Sequence, residues 1–405
     1  MRVENTTANS TLPLSTKETT LFLNINDRLT ELTQLSDEKL LAGFSQPNLW
    51  GFYRLASILT TAAVREDLKK CTLIVSLFER LIKKDAHHVL TELQSILYVG
   101  GIYGFTGLSC LTAAIKGAAS GYSKSSHELC ESICGLLMSL IENHTANILL
   151  VTQALSQFLS AGLDENSTGF YELAAAVYCA ARRGKVQLYQ KICSILIFLI
   201  HSNPLAALQG LSRFVRLSSG NVALQSTGLC LLLDSFLWII ENCPNYINTY
   251  VEGILTPLIK INASVSIQGL LPRISSPRIV PTEFLCHGGN GFFLLTFAIK
   301  EMATKELQSE IDRLISAFSD VVQADAALVI EGLLKEAVQG TFLQTNGFAW
   351  LSVALYSTVN KHLNNACFTL CDILEKLIET DVHHVVAGLL RESKRIEFTG
   401  MNGFF

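Results

Sequence analysis

The chain has 405 residues, of which 49% are hydrophobic and 16% charged, with a formal net charge of −4. That balance can bury a large core, and it lacks the clustered excess of Lys and Arg by which proteins hold nucleic acid, so no nucleic-acid partner is expected. An odd count of eleven cysteines is unlike a secreted disulfide framework and places the chain in a reducing, cytoplasmic compartment.

Residues 1–14 are rich in Thr and Asn and read as a disordered tail without the apolar stretch of a secretory signal. Residues 15–50 read as an N-terminal helical cap. Ser15-Thr16-Lys17-Glu18 has the form of a capping box, Leu21, Phe22, Leu23, Ile25, Leu29 and Leu32 follow it, and a second short helix is predicted from Ser36 to Phe44.

From residue 51 to 398 one block returns six times. It opens as Gly51-Phe52-x-x-Leu55, Gly104-Phe105-x-x-Leu108, Gly169-Phe170-x-x-Leu173, Gly228-Leu229-x-x-Leu232, Gly291-Phe292-x-x-Leu295 and Gly347-Phe348-x-x-Leu351. Thirty-four residues after the glycine stands Asp85, Asn203, Asn262, Asp325 or Asp381; only the second unit departs, reaching His144 after forty. Aliphatic pairs three and four residues before that position, and single aliphatics five after it, give a helix, a turn capped by Asp or Asn, and another helix. The predicted fold is therefore all-α: an elongated α-solenoid of six roughly three-helix repeats, since units of this size bury their apolar faces only by stacking.

Thr168, Thr227, Asn290 and Asn346 stand where N-caps of the first helices are expected, and Ala176, Ala298 and Ala354 lie where small residues let helices approach. In the second helix, Glu306, Glu310, Asp312 and Arg313 oppose Leu307, Ile311, Leu314, Ile315 and Phe318. The third helix is short and so apolar (Ala326 to Leu334) that it is expected inside the stack. The extra residues of the second unit fall in the breaker-rich loop from Gly117 to Ser126. Leu93–Ile115 carries no charge, but its glycines and its register with the repeat make it buried helix rather than a membrane span.

One segment breaks the pattern. Pro272 to Pro281 holds three of the eight prolines and reads as an extended connector, whose Arg273 and Arg278 are the candidate partner-binding residues. Thr399-Gly400-Met401-Asn402-Gly403-Phe404-Phe405 repeats the opening of a unit, so residues 399–405 read as the start of a seventh unit or as a terminal plug.

Cys130-x-x-x-Cys134 and Cys367-x-x-x-Cys371 suggest metal ligands until the units are aligned. Cys71, Cys130 and Cys367 then share a position with Tyr189 and Ile311, and Cys134, Cys193 and Cys371 share one with Val75 and Ile315, which marks core positions. His87-His88 and His383-His384 occupy one repeat position, and adjacent helical side chains point about 100° apart, a poor geometry for chelation. No phosphate loop, dinucleotide fingerprint, His-Glu-x-x-His or Gly-x-Ser-x-Gly occurs; Gly288-Gly289-Asn290-Gly291 lacks a following Lys, and Cys286-His287 are adjacent in a loop. No catalytic residue, cofactor or metal is expected.

In these units the chain resembles the HEAT and armadillo α-solenoids, and the first helix Gly104-Phe105-Thr106-Gly107-Leu108-Ser109-Cys110-Leu111-Thr112-Ala113-Ala114 is similar to an ankyrin unit, although the spacing exceeds those families' periods of about 33 to 47. Its style also resembles helical-repeat effectors of intracellular bacteria, for which delivery into a host cell is implied. The expectation is a non-catalytic scaffold or adaptor that binds a protein or peptide along an extended surface. The alternative is a regulatory or substrate-binding part of an enzyme whose catalytic residues lie in unit-specific loops or beyond residue 405.

Overall fold

The computed structural model describes residues 15–46, 49–95, 106–142, 148–157, 159–160, 166–219, 222–272, 289–337 and 345–392. The chain forms two compact units, one of residues 1–95 with 106–145 and the other of 96–105 with 146–405. Helices stack in both, so the class is all-α and built of helical repeats.

The N-terminal unit opens with helices α1 (Thr16–Leu23), α2 (Leu29–Leu32) and α3 (Asp37–Phe44). The Ser15 hydroxyl accepts from Glu18 N, and Glu18 reaches back to Ser15 N at 2.9 Å, so the capping box forms as read. A hydrogen bond from Lys39, helped by those from Ser15, holds the Glu18 carboxyl down at about 2. Repeat one follows as α4 (Gly51–Val64) and α5 (Leu68–Gln94), which breaks at Asp85 into second and third helices. Arg80 ties the cap to this repeat by donating to Thr33 O at 2.9 Å, Leu35 O at 2.6 Å and Asp37 Oδ1 at 2.8 Å. Arg54 does the same with Leu23 O at 2.8 Å. Helices α6 (Gly107–Ala119) and α7 (Lys124–Glu142) complete the unit.

Helix α6 corrects the register of repeat two. Its N-cap is Thr106, which accepts from Ser109 N, so Gly107, and not Gly104, occupies the opening position. Gly104 lies outside the described residues, as does His144. Both overlapping frames, Gly104-x-x-x-Leu108 and Gly107-x-x-x-Leu111, are present, and the capping threonine decides between them. The polar position moves with it, to Asn147, eight residues before Leu155. The surplus over the other units is then divided. Cys130 stands 23 residues after Gly107 where Cys71 stands 20 after Gly51, so three of the six surplus residues precede Cys130 and three follow it in the sequence, whereas the sequence reading placed all of them in Gly117–Ser126.

The C-terminal unit begins with α8 (Ile148–Ser156) and a short hairpin, β1 (Leu159–Ser160) with β2 (Asn166–Ser167). Repeat three is α9 (Gly169–Arg182), α10 (Val186–Ser202) and α11 (Pro204–Ser212). A hairpin of β3 (Phe214–Ser219) and β4 (Val222–Thr227) leads to repeat four, with α12 (Gly228–Asn242), α13 (Ile247–Tyr250), a π-helical turn (Val251–Leu255), α14 (Thr256–Ile261) and α15 (Ala263–Leu270). Repeat five is α16 (Gly291–Thr304), α17 (Gln308–Ala324) and α18 (Ala326–Leu334). Repeat six is α19 (Gly347–Asn360) and α20 (Asn364–Glu392), which breaks at Asp381.

The expected caps of the third helices are formed. Asp85, Asn203, Asn262, Asp325 and Asp381 share an extended conformation, with φ between −154° and −159°, and each accepts from the backbone N–H three residues on at 2.9 to 3.1 Å. Each such cap contributes about 1 kcal/mol.

Burial reverses one expectation. The first helix is the inner layer: every residue from Gly169 to Ala181 of α9 is buried, and α12 and α16 are buried nearly throughout. The third helices expose one face instead, as at Leu149, Leu150, Leu205 and Leu328. Low polarity alone does not separate the two cases, because an apolar side chain can remain on a surface.

A second glycine explains how close the layers lie. Gly210, Gly269, Gly332 and Gly388 follow the opening glycines of repeats three to six by 41 residues, and their carbonyls accept from the first helix's own cap. Thr168 donates to Gly210 O at 2.9 Å, Thr227 to Gly269 O at 2.7 Å, Asn290 to Gly332 O at 2.7 Å and Asn346 to Gly388 O at 3.0 Å. The same side chains cap their own helices by accepting from Tyr171, Cys230, Phe293 and Ala349 N. One buried side chain thus joins the start of the first helix to the third helix of its repeat, satisfying backbone groups at both.

Repeat four departs in its second helix, whose buried Ile247, Tyr250 and Val251 stand one residue earlier in the unit than Ile311, Leu314 and Ile315, while Leu258 and Ile259 are back in phase with Val321 and Val322. The π-helical turn between them absorbs that residue.

First and second helices meet through a left-handed residue: Glu66 (φ 53°), Gly184 (φ 65°), Glu306 (φ 60°) and His362 (φ 54°). The next N–H closes a Schellman turn on the carbonyl five back, as in Leu363 N to Thr358 O at 2.9 Å. Only repeat three uses glycine here. The left-handed conformation costs a residue with a Cβ about 1–2 kcal/mol. Replacing the exposed His362 by Gly is therefore expected to stabilise the last repeat by about 0.5 kcal/mol after the glycine's extra unfolded-state entropy. Slower amide exchange in α19 would register the gain, and faster exchange would contradict it.

Candidate functional site

In the C-terminal unit α8, α11, α15, α18 and the last arm of α20 are the third helices, and they contact one another in that succession. α11, α15, α18 and the last arm of α20 are held by their caps, and α8, α11, α15 and α18 by the leucine that receives the next opening glycine, namely Leu155, Leu211, Leu270 and Leu333. That anchoring fixes which side chains face outward. Two residues before the anchoring leucine stand Gln153, Gln209, Gln268 and Glu331, all exposed. Six before it stand Leu149, Leu205, Ser264 and Ala327, also exposed, and Leu150, Ile261 and Leu328 add exposed aliphatic side chains beside them. Neighbouring helices pack about 8–10 Å apart, so a polar row runs across four repeats, with exposed aliphatic side chains beside it on the third helices of repeats two, three and five. A Gln amide donates and accepts, and such a row can pair with an extended main chain while the aliphatics cover its side chains.

The first-helix layer carries two further groupings. Arg182, at the end of α9, reaches the carboxylate of Asp234 in α12 at 3.1 Å, and its guanidinium lies 5.4 Å from the Tyr178 ring centroid. The Asp234 side chain is fully buried. In repeats five and six Phe293, Phe297 and Trp350 pack together, the Phe297 and Trp350 centroids 4.7 Å apart. Lys300 Nζ lies 5.5 Å from the first of that pair and 5.7 Å from the second, and pairs with Glu301 at 2.7 Å. The residues at these positions vary between units, and both groupings fasten one repeat to the next.

The thiols sit in the core. Cys71, Cys130, Cys134 and Cys193 are fully buried, so the shared alignment positions are packing positions. Desolvation pushes the Cys71 and Cys230 thiols up to about 11 and Cys193 further still, beside Tyr189. A buried thiol held protonated is neither nucleophile nor metal ligand at neutral pH. Cys367 and Cys371 depart from this and lie at a surface. His88 bonds Ser45 Oγ at 2.5 Å and His384 bonds Asp381 at 2.6 Å. Among the described residues no group of three or more His, Cys, Asp and Glu could hold a metal ion. Also among them, no single helix is long and apolar enough to cross a membrane; α10 and α11 pass the test only as a pair, bent by 119° at Asn203.

Arg273 and Arg278, the residues singled out from the sequence, lie outside the described residues, as do Cys286 and His287 and the Asn402-Gly403-Phe404 opening. The row on the third helices was not singled out. Its signal is a Gln or Glu recurring two residues before the anchoring leucine, visible once repeat two is set in register.

No family model matches the chain, and no curated protein matches it. Among solved structures it is similar to a circular tandem repeat protein with novel repeat topology and enhanced subunit contact surfaces, at 12% sequence identity and a TM-score of 0.34, over 93% of this chain and 78% of that one.

Proposed function

We propose that the protein is a non-catalytic helical-repeat scaffold that binds a protein or peptide partner along the third-helix face of its C-terminal unit. The observation that carries the reading is the paired row: Gln153, Gln209, Gln268 and Glu331 beside Leu149, Leu205 and Leu328, exposed on helices in contact. One repeat advances by about the length of three extended residues, which suits a strand-like segment crossing the helices. The resemblance to HEAT and armadillo proteins supports an interaction role, and the protonated buried thiols suit a cytoplasmic setting. An effector role is part of the same proposal and rests on style alone.

A photo-crosslinking residue placed in turn at 153, 209 and 268 is expected to capture one and the same partner in the native cell. Leu205→Glu should abolish capture at all three while leaving unfolding unchanged. Capture that differs from site to site, or that survives Leu205→Glu, would remove the reading.

A further inference from the structure

Repeat six ends in a face that the other repeats do not leave open. Val359 is 54% exposed, although its counterparts Ala63, Ala119, Ala181 and Ala303 are all buried. Ile378 is exposed where Ile200, Ile259 and Val322 are fully buried. Cys371 is exposed where Ile315 is buried. Val382 and Tyr356 add to the same exposure. In repeats three to five the positions of Val359, Cys371 and Ile378 are all buried, and the repeat that follows packs against the same helices. The face therefore continues an interface that already exists three times within the C-terminal unit.

Its composition is nevertheless not that of one more internal junction. The position one residue past the buried start of the second helix holds Thr72, Glu131, Gln190, Asn248 and Asp312 in repeats one to five. In repeat six it holds Phe368, which is 70% exposed. A polar rim has become aromatic only where no repeat follows among the described residues. Aromatic residues on exposed rims mark surfaces that become buried on association.

We infer that this face joins two copies of the chain, repeat six against repeat six, about a twofold axis. Three helices about 25 Å long and about 10 Å apart present about 600 Å². Two such faces bury about 1,200 Å², which reaches the lower end of specific interfaces. Head-to-tail association would meet a repeat one that α1, α2 and α3 already cover and that Arg80 and Arg54 latch to them. Self-complementary pairing of one face needs no second surface and closes as a dimer. The inference stands apart from the third-helix row and does not depend on it.

Sedimentation equilibrium of the full chain across about 1 to 100 µM tests it, a range that reaches weak association. The expected result is a concentration-dependent mass approaching twice 44.4 kDa. Phe368→Glu and Val359→Glu should each return the single-chain mass with an unchanged unfolding midpoint, and Leu205→Glu, exposed elsewhere, should leave the dimer intact. A single-chain mass at the highest concentration overturns the inference. It does so whether Cys371 is then readily alkylated, meaning an open face, or protected, meaning cover by residues 393–405. A dimer that survives both glutamates overturns it too.

Discussion

Gly291→Leu is expected to uncouple repeats five and six from the rest of the C-terminal unit. A Cβ at this position would stand 2.8 Å from the Leu270 Cα and 2.6 Å from its Cδ2. The second contact could be relieved by a rotamer change; the first is backbone, and relief requires α15 and α16 to move apart. Both helices are already committed on their other sides, α16 through Asn290, which donates to Gly332 O at 2.7 Å, and α15 through Gly269, whose carbonyl takes the Thr227 hydroxyl at 2.7 Å. Overpacking in a well-filled core typically costs about 1–3 kcal/mol, and with a backbone clash the upper end applies. In a stack whose stability sums repeat and neighbour terms, weakening one junction divides a cooperative transition. Hydrogen exchange should then quicken in α16 to α20 relative to α9 to α12 when the variant is compared with the parent protein. Unchanged protection in the variant would show that the junction tolerates the side chain and that the opening glycine is not there for close approach.

The same glycines show what was legible in the sequence. Gly51, Gly169, Gly228, Gly291 and Gly347 stand out because each is followed by an aromatic or leucine at a fixed offset, and each proves to open a helix. The capping Asp and Asn residues were legible for a related reason: the extended conformation and the single accepted hydrogen bond call for a short polar side chain. The second glycine was not legible, because repeats one and two carry Glu92 and Ala154 there, and 26 glycines along the chain offer many accidental spacings. Its role appears only when Gly210 and Gly332 are seen against the Phe170 and Phe292 rings, with a Cβ 2.9 Å and 2.3 Å from them. The order of the layers was misread because Leu149, Leu205 and Leu328 made the third helix look like core. The hairpins between repeats were not read from the sequence because each strand is short. Yet Phe214 to Thr227 alternates around Gly220-Asn221, which is a hairpin signal. The hairpin keeps a rule across connectors: the residue four past the anchoring leucine pairs with the one before the cap, as in Leu159 with Ser167, Val215 with Ser226, and Ala337 N to Thr345 O at 2.8 Å.

Arg182→Met is expected to destabilise the C-terminal unit by about 3 kcal/mol, more than its partial exposure suggests, because the cost falls on the residue left behind. Asp234 lies on α12 with its side chain fully out of solvent, and the guanidinium at 3.1 Å supplies a full positive charge to it. Methionine keeps an unbranched apolar stem and removes the guanidinium, with its charge, its hydrogen bonds to Asp234 and its place over the Tyr178 ring. The carboxylate then stays buried with one charged partner fewer; breaking a buried pair typically costs about 3–5 kcal/mol, and water admitted beside the partly exposed Arg182 position should hold the loss toward the lower bound. Asp234→Leu in the same chain should restore most of what was lost, since the matching position of repeat five is Phe297 and the layer there is apolar. A double-mutant cycle read by chemical denaturation separates the two cases. A strongly negative coupling, with the double variant close to the parent, means the pair fastens repeat three to repeat four by cancelling a cost that the fold itself creates. Additive losses would mean that each side chain contributes through separate contacts, and the ion pair would then hold no special place in the junction.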